Sequence, residues 1–204
     1  MKRGFDTIAF AYDRLTRIVF GKAIAKSQLH FLKRLEKCKD ILVLGGGTGW
    51  WMNEFLQTNS GARITFIDAS QKMIGIAASR LKSKNRVEFI HGTHNNIPHK
   101  KYDAVVLFYF LDLFSNEELP EVIITIRSRI KIQGLWLVSD FVNHRPWHDT
   151  LLKIMYRFFK LVAGLSTQSL PEWQVHMRNQ GLTQAEHITF YKGFIYSSVY
   201  HQPE

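Results

Sequence analysis

Four glycines in five positions, Gly45, Gly46, Gly47 and Gly49, follow the apolar run Ile41 to Leu44 in the stretch ILVLGGGTGW. A buried strand that runs into such a turn lets backbone approach a ligand closely, and clustered backbone amides suit an anionic group. Nineteen residues after Gly49, the run RITFID ends at Asp68. A carboxylate there has the acceptor sites to take hydrogen bonds from both hydroxyls of a ribose. Ser70 can cap the helix that follows, which leaves Asp68 for the ligand. Two more polar residues follow apolar runs: Asp112 in FLDLF and His144 in FVNHRPWHD. Each is placed either to take a proton from a bound hydroxyl or simply to serve a turn.

The same residues exclude other chemistries. A dinucleotide-binding turn wants a third glycine at position 50, which is Trp50. The three histidines of HGTHNNIPH come without a carboxylate ligand set, so no metal is expected. The single cysteine, Cys38, rules out an internal disulfide, and no GxSxG nucleophile turn occurs.

The elements that must position these groups alternate strand with helix. ILVLG, RITFID, RVEFIH, YDAVVLFY and LWLVSDFV read as five short strands with helical periodicity between them, which predicts a largely parallel sheet covered on both faces. LTQAEHITF and GFIYSSVYHQ, joined at YKG, read as an antiparallel pair and bring the total to seven strands. Capping boxes are expected at Ser115 with Glu118 and at Ser169 with Glu172, and a helix stop at Gly181. One domain over 1–204 is expected, with a helical lid segment at 1–38 and an α/β core at 39–204.

The composition, 46% hydrophobic and 22% charged, is that of a soluble globular chain, and no apolar run is long enough to span a membrane. With no secretory segment in MKRGFDTIAF, the reducing cytoplasm is the expected compartment. The net charge of +10 invites a nucleic-acid partner, but the cations are spread along the chain as on solvated helix ends, and that partner is not favoured. The composition leaves the oligomeric state open.

Taken in order, ILVLGGGTG, FIDAS with QKMIGIAASRL, VEFIHGTHNNIP, KYDAVVLFYFLDLF and RIKIQGLWLVSDF resemble the motifs of class I S-adenosylmethionine-dependent methyltransferases. FDTIAFAYDRL and EWQVHMRNQGLTQAE are similar to segments of the ubiquinone/menaquinone-biosynthesis subgroup. The resemblance covers nearly the whole chain and implies a Rossmann-like, doubly wound, seven-stranded, mostly parallel sheet with an antiparallel C-terminal strand and N-terminal lid helices. It implies S-adenosylmethionine as cofactor. Gly45, Gly46, Gly47 and Gly49 would lie against its methionine part, Asp68 would hold the ribose, and Ala69 and Ser70 would flank the adenine. Thr93 and His94 would lie at the adenine edge. Phe108 and Tyr109 would pass beneath the sulfonium, and Tyr12 would cover it.

Methyl transfer from a sulfonium is an in-line displacement that needs alignment and exclusion of water more than a nucleophilic side chain. Asp112, His144 and Tyr109 are the candidate catalytic residues. LFYF stands where amino-directed nucleic-acid methyltransferases carry NPPY or DPPY, which points away from base amino groups. The segment LLKIMYRFFKLVAGL, with Lys153, Arg157 and Lys160 on its polar face, reads as a helix that roofs an apolar cavity or lies on an anionic membrane surface. A small aromatic or lipophilic acceptor is the expectation. The sequence departs from the family pattern in three places: Val43 and Thr93 replace acidic residues, and the pair Ile132 and Gln133 replaces proline and glycine. The alternatives are a non-catalytic protein of this fold, and a basic nucleic-acid-binding protein or RNA methyltransferase.

Overall fold

The computed structural model describes residues 19–82, 85–163 and 169–203, with side chains except those of 158–163. Seven strands form one sheet: β1 (Asp40–Leu44), β2 (Arg63–Asp68), β3 (Val87–His91), β4 (Tyr102–Phe108), β5 (Ile130–Phe141), β6 (Thr183–Phe190) and β7 (Ile195–His201). Their order is β3-β2-β1-β4-β5-β7-β6, with β1 to β5 parallel and β7 antiparallel to both neighbours. The order reverses between β1 and β4, which is where an open α/β sheet parts its crossovers and leaves a crevice at the carboxyl ends of the strands.

Strand alternation builds a core on each face. Ile41 and Val43 pack with Phe66, Val106, Trp51 and Phe55 on one side. Leu42 and Leu44 pack with Val105, Leu107, Trp136 and Ile123 on the other. The first layer is covered by α2 (Met52–Thr58) and α3 (Gln71–Arg80), the second by α4 (Leu119–Arg127) and α6 (Trp173–Asn179). A third cluster gathers Phe20, Phe141, Leu152, Phe194 and Ile195, bringing together an N-terminal residue, the ends of β5 and β7, and α5 (Pro146–Ala163). That helix starts before the predicted segment because Pro146 suits a first helical turn, where no amide is needed.

Ser115 and Glu118 form the predicted capping box: the Ser115 amide donates to Glu118 Oε2 (2.9 Å) and the Glu118 amide to Ser115 Oγ (3.4 Å). Gly181, at φ 78°, ends α6 as expected. Ser169 does not cap α6; the Glu172 amide donates instead to Asn116 Oδ1 (2.9 Å), a tertiary bond that no local pattern reveals. At the departure Ile132–Gln133, Gln133 adopts φ 59°, a left-handed conformation that glycine would enter without strain.

The N-terminal helix α1 (Ala23–Leu29) is tied to the sheet through Ser27. Its carbonyl accepts from Ser139 Oγ and Ser197 Oγ, both at 3.0 Å, and its own hydroxyl meets Tyr109 Oη at 2.7 Å.

The packing around the glycine turn is tight enough to test. A Cβ on Gly46 would meet Phe66 Cε2 at 2.1 Å. Gly46→Ala should lower unfolding stability by roughly 1–3 kcal/mol, read as a lower denaturant midpoint with an unchanged slope.

Candidate functional site

The turn after β1 is built by three left-handed glycines, Gly45 (φ 62°), Gly47 (φ 58°) and Gly49 (φ 55°). It is stitched to β2 twice. The Gly45 amide donates to the Ile67 carbonyl (2.9 Å), and the Gly47 amide donates to Asp68 Oδ2 (2.9 Å). Asp68 Oδ1 accepts from the Ser70 amide (2.9 Å), while Ser70 Oγ caps α3 by accepting from the Met73 amide (3.2 Å). Asp68 is thus a buried carboxylate at the rim of the turn, and Ser70 takes the expected capping role.

The four glycines are not equivalent. A Cβ would run into Phe110 at Gly45, into Phe66 at Gly46 and into Met52 and Ala77 at Gly49, so those three face packed protein. At Gly47 it would meet nothing within 4 Å. Gly47 therefore presents bare backbone to open space beside a carboxylate.

Ala69 is half-buried and its carbonyl meets His91 Nε2 at 3.1 Å. Thr93 caps a short 3-10 turn, His94–Asn96: its hydroxyl accepts from the Asn95 amide (3.3 Å) and its amide donates to Asn96 Oδ1 (2.9 Å). His94 packs edge-on to Phe114, with ring centroids 5.5 Å apart; burial lowers its pKa against the opposing pull of Glu121 and Glu118. Val43, where the sequence departs from an acidic residue, is fully buried in the first core layer. Tyr12 lies outside the described residues.

Beyond β4, Phe108 packs edge-on to Trp51 (5.6 Å) and Tyr109 leans on Phe141 (4.9 Å). Tyr109 holds φ 55°, and its amide donates to the Ser139 carbonyl (2.7 Å). A bulky residue in left-handed backbone is strained, and such strain collects at ligand sites.

Asp112 sits on the next 3-10 turn, Leu111–Leu113. In its side chain, Oδ1 is sealed from solvent without a hydrogen-bond partner. Beside it, buried Asp140 accepts from the amides of Leu111 (2.9 Å), Asp112 (3.2 Å) and Phe141 (2.8 Å). Tyr156 of α5 adds a buried hydroxyl that also lacks a partner. Burial pushes Asp112 up to about 7. Burial and the neighbouring Asp112 charge push Asp140 well above the usual carboxylate range, against the amides. Burial and the two acids raise the Tyr156 phenol.

The structure thus gathers Asp112 and Tyr109 near the carboxyl edge of β4 and adds Asp140 and Tyr156, which sequence reasoning missed. The signal for Asp140 was present, since a carboxylate inside an apolar strand such as LWLVSDFV must be satisfied by something. Nothing in the sequence marks Tyr156. His144 stays exposed on the loop after β5, its amide donating to His148 Nδ1 (3.1 Å). No helix among the described residues is long and apolar enough to cross a membrane.

Comparison with known proteins agrees with this geometry. A family model described as a methyltransferase domain matches residues 41–134. The malonyl-[acyl-carrier protein] O-methyltransferase of Halalkalibacterium halodurans is 31% identical over 153 residues, 69% of this chain and 54% of the relative. The demethylmenaquinone methyltransferase of Tropheryma whipplei is 25% identical over 188 residues, 85% of this chain and 77% of the relative. The chain spans about half the length of the malonyl-[acyl-carrier protein] relatives it matches. Among solved structures, the N-methyltransferase NodS of Bradyrhizobium japonicum, in complex with S-adenosylhomocysteine, shares the fold at a TM-score of 0.67 and 14% identity, covering 89% of this chain and 88% of that one.

Residues 41–134 match a methyltransferase-domain family, and S-adenosylmethionine is the cofactor that this family and its fold neighbours imply. The turn fits that group, because open backbone at Gly47 beside the Asp68 carboxylate is what an amino-acid moiety joined to a ribose requires.

The buried acids carry a pH signature in stability. A carboxyl whose pKa is raised in the folded state binds more protons folded than unfolded, so its contribution is full below the unfolded pKa near 4 and is lost as pH rises toward the folded value. Asp112 titrates near 7 in the fold. Asp112→Asn should therefore be more stable than the parent at pH 8 by at least about 1.4 kcal/mol, the equivalent of one pKa unit, with the gap closing by pH 4. Paired denaturant titrations at the two pH values check this.

Proposed function

We propose that the protein transfers a methyl group from S-adenosylmethionine to a small, aromatic or lipophilic acceptor. The open backbone at Gly47, held against Asp68 at the point where strand order reverses, carries the reading. The cofactor supplies a methyl group on a positively charged sulfur that leaves readily. In this reading the open backbone at Gly47 lies against the amino-acid end, and Asp68 shares its oxygens between the Gly47 and Ser70 amides and the ribose hydroxyls. Ala69, Ser70, Thr93 and His94 border the adenine, while Phe108 and Tyr109 form the wall beneath the sulfonium.

In this reading the acceptor end is aromatic: Tyr109 leans on Phe141, which packs with Phe20 and Phe194. Such a wall favours a flat apolar acceptor and excludes water, which strengthens every charge interaction inside. Asp112 is the group placed to take an acceptor proton; exposed His144 has no part in this assignment. A cytoplasmic setting suits the lone thiol, since burial pushes Cys38 up to about 11 and keeps it unreactive.

The relatives' activities, on malonyl-[acyl-carrier protein] and demethylmenaquinone, bracket an acyl-carrier-bound and a lipophilic acceptor. The aromatic wall favours the second. Among the described cations, Arg63 pairs with Asp40 and Lys153 with Asp149.

Calorimetric titration with S-adenosylmethionine and S-adenosylhomocysteine tests the reading. Micromolar binding is expected, and Asp68→Ala should weaken it at least about tenfold, as for a lost hydrogen bond to a charged group. Absence of binding by a folded sample would overturn the proposal in favour of a non-catalytic protein of this fold.

A further inference from the structure

Asp112, in the turn after β4, and Asp140, near the end of β5, differ in their partners. Asp140 is saturated by three backbone amides, whereas Asp112 Oδ1 and Tyr156 Oη are both sealed from solvent with no partner. Leaving buried polar atoms unpaired costs about 1–3 kcal/mol each, a cost that a ligand with matching donors removes. The segment bearing Asp112 also lies against the cofactor turn, since the Phe110 ring blocks the space above Gly45.

Building on the methyltransferase reading, we infer that Asp112 and Asp140 share one proton and, with the Tyr156 hydroxyl, form an acceptor subsite that takes an O–H or N–H group and rejects a carboxylate. Two acids so close and so buried cannot both ionise, so they titrate as one unit. Among the described residues no Lys, Arg or His hydrogen-bonds or ion-pairs with either acid. The groups that face the pair are Tyr156 from α5 and the amides of the Asp112 turn. His148, also on α5, feels Arg145 and His144 instead. The pair therefore holds one uncompensated negative charge near neutrality. An incoming carboxylate would add a second like charge to a buried site, while a hydroxyl or an ammonium supplies the missing donor.

The chemistry balances within the subsite. When the acceptor is deprotonated, its O–H or N–H bond breaks, the electron pair stays on the heteroatom, and the proton passes to Asp112 Oδ1, the oxygen without a donor. Asp140, locked by its amides, does not move; it is a positioning residue that holds the Asp112 turn.

Carbon-13 carboxyl titration of the full chain tests the shared proton without any ligand. The Asp112 signal should titrate near neutral pH, and Asp112→Asn should shift the Asp140 titration toward acid by at least about one unit, a tenfold change. Aspartates that all titrate below about pH 5, the ordinary carboxylate range, would overturn it. The parent titration needs no variant, so misfolding of Asp112→Asn leaves the test intact.

Fluorescence binding of 2-naphthol and 2-naphthoate at pH 8 tests the selectivity. The parent should bind the naphthol at least about tenfold more tightly, and the double variant Asp112→Asn/Asp140→Asn should shrink that ratio to about threefold or less, as expected when the like charge is removed from the pair. Equal affinities, or no naphthol binding, would refute the subsite. Calorimetry with S-adenosylhomocysteine in parallel separates the two levels: its failure removes the methyltransferase reading but leaves the carboxyl titration standing.

Discussion

Backbone amides that emerge from a parallel sheet have no strand left to pair with, and this chain satisfies them with carboxylates from the neighbouring strand. Asp68, at the end of β2, accepts from Gly47 in the turn after β1. Asp140, near the end of β5, accepts from Leu111 and Asp112 in the turn after β4. At the opposite edge Asp103 accepts from the amides of Lys39 and Asp40, both at 2.8 Å, as β1 begins. An unpaired buried amide costs as much as a lost hydrogen bond, so each acid fixes a turn the strands alone would leave loose.

The three acids differ in what else they meet, and that difference divides structure from chemistry. Burial raises Asp103, but Lys131 at 2.5 Å and the two amides outweigh it and hold the carboxyl below its ordinary range. Asp140 has amides but a second acid in place of a cation, so burial and repulsion win. The same clasp thus makes an inert ion pair at the amino edge and a proton-holding pair at the carboxyl edge, where the sheet opens its crevice.

Much of the fold was legible because its signals are local. Seven strands, the left-handed glycines, the Ser70 cap and the antiparallel β7 all follow from period, turn chemistry and spacing. The failures lie where a residue answers to something distant. Ser169 lost its capping role to Asn116, and Tyr156 reached the acids only because α5 folds back over the carboxyl edge. Departures from a family pattern were legible as departures but not in their meaning. Val43 replaces an acid inside the core, packed with its layer, and so bears on packing. Thr93 has its oxygen engaged in a capping box.

Tyr109 connects these layers. Its left-handed backbone turns the chain out of β4, its amide is fixed by the Ser139 carbonyl, and its hydroxyl meets Ser27 on α1. Ser139 in turn shares its hydroxyl with Ser197 and with the Ser27 carbonyl, so β4, β5, β7 and the N-terminal helix converge on one buried polar knot. Polar networks in a dry interior are stable only when every member is satisfied, which makes the arrangement all or nothing. A shift of α1 would break several of these bonds together and release the strain at Tyr109. The N-terminal helix and the Tyr109 turn are therefore joined mechanically through Ser27.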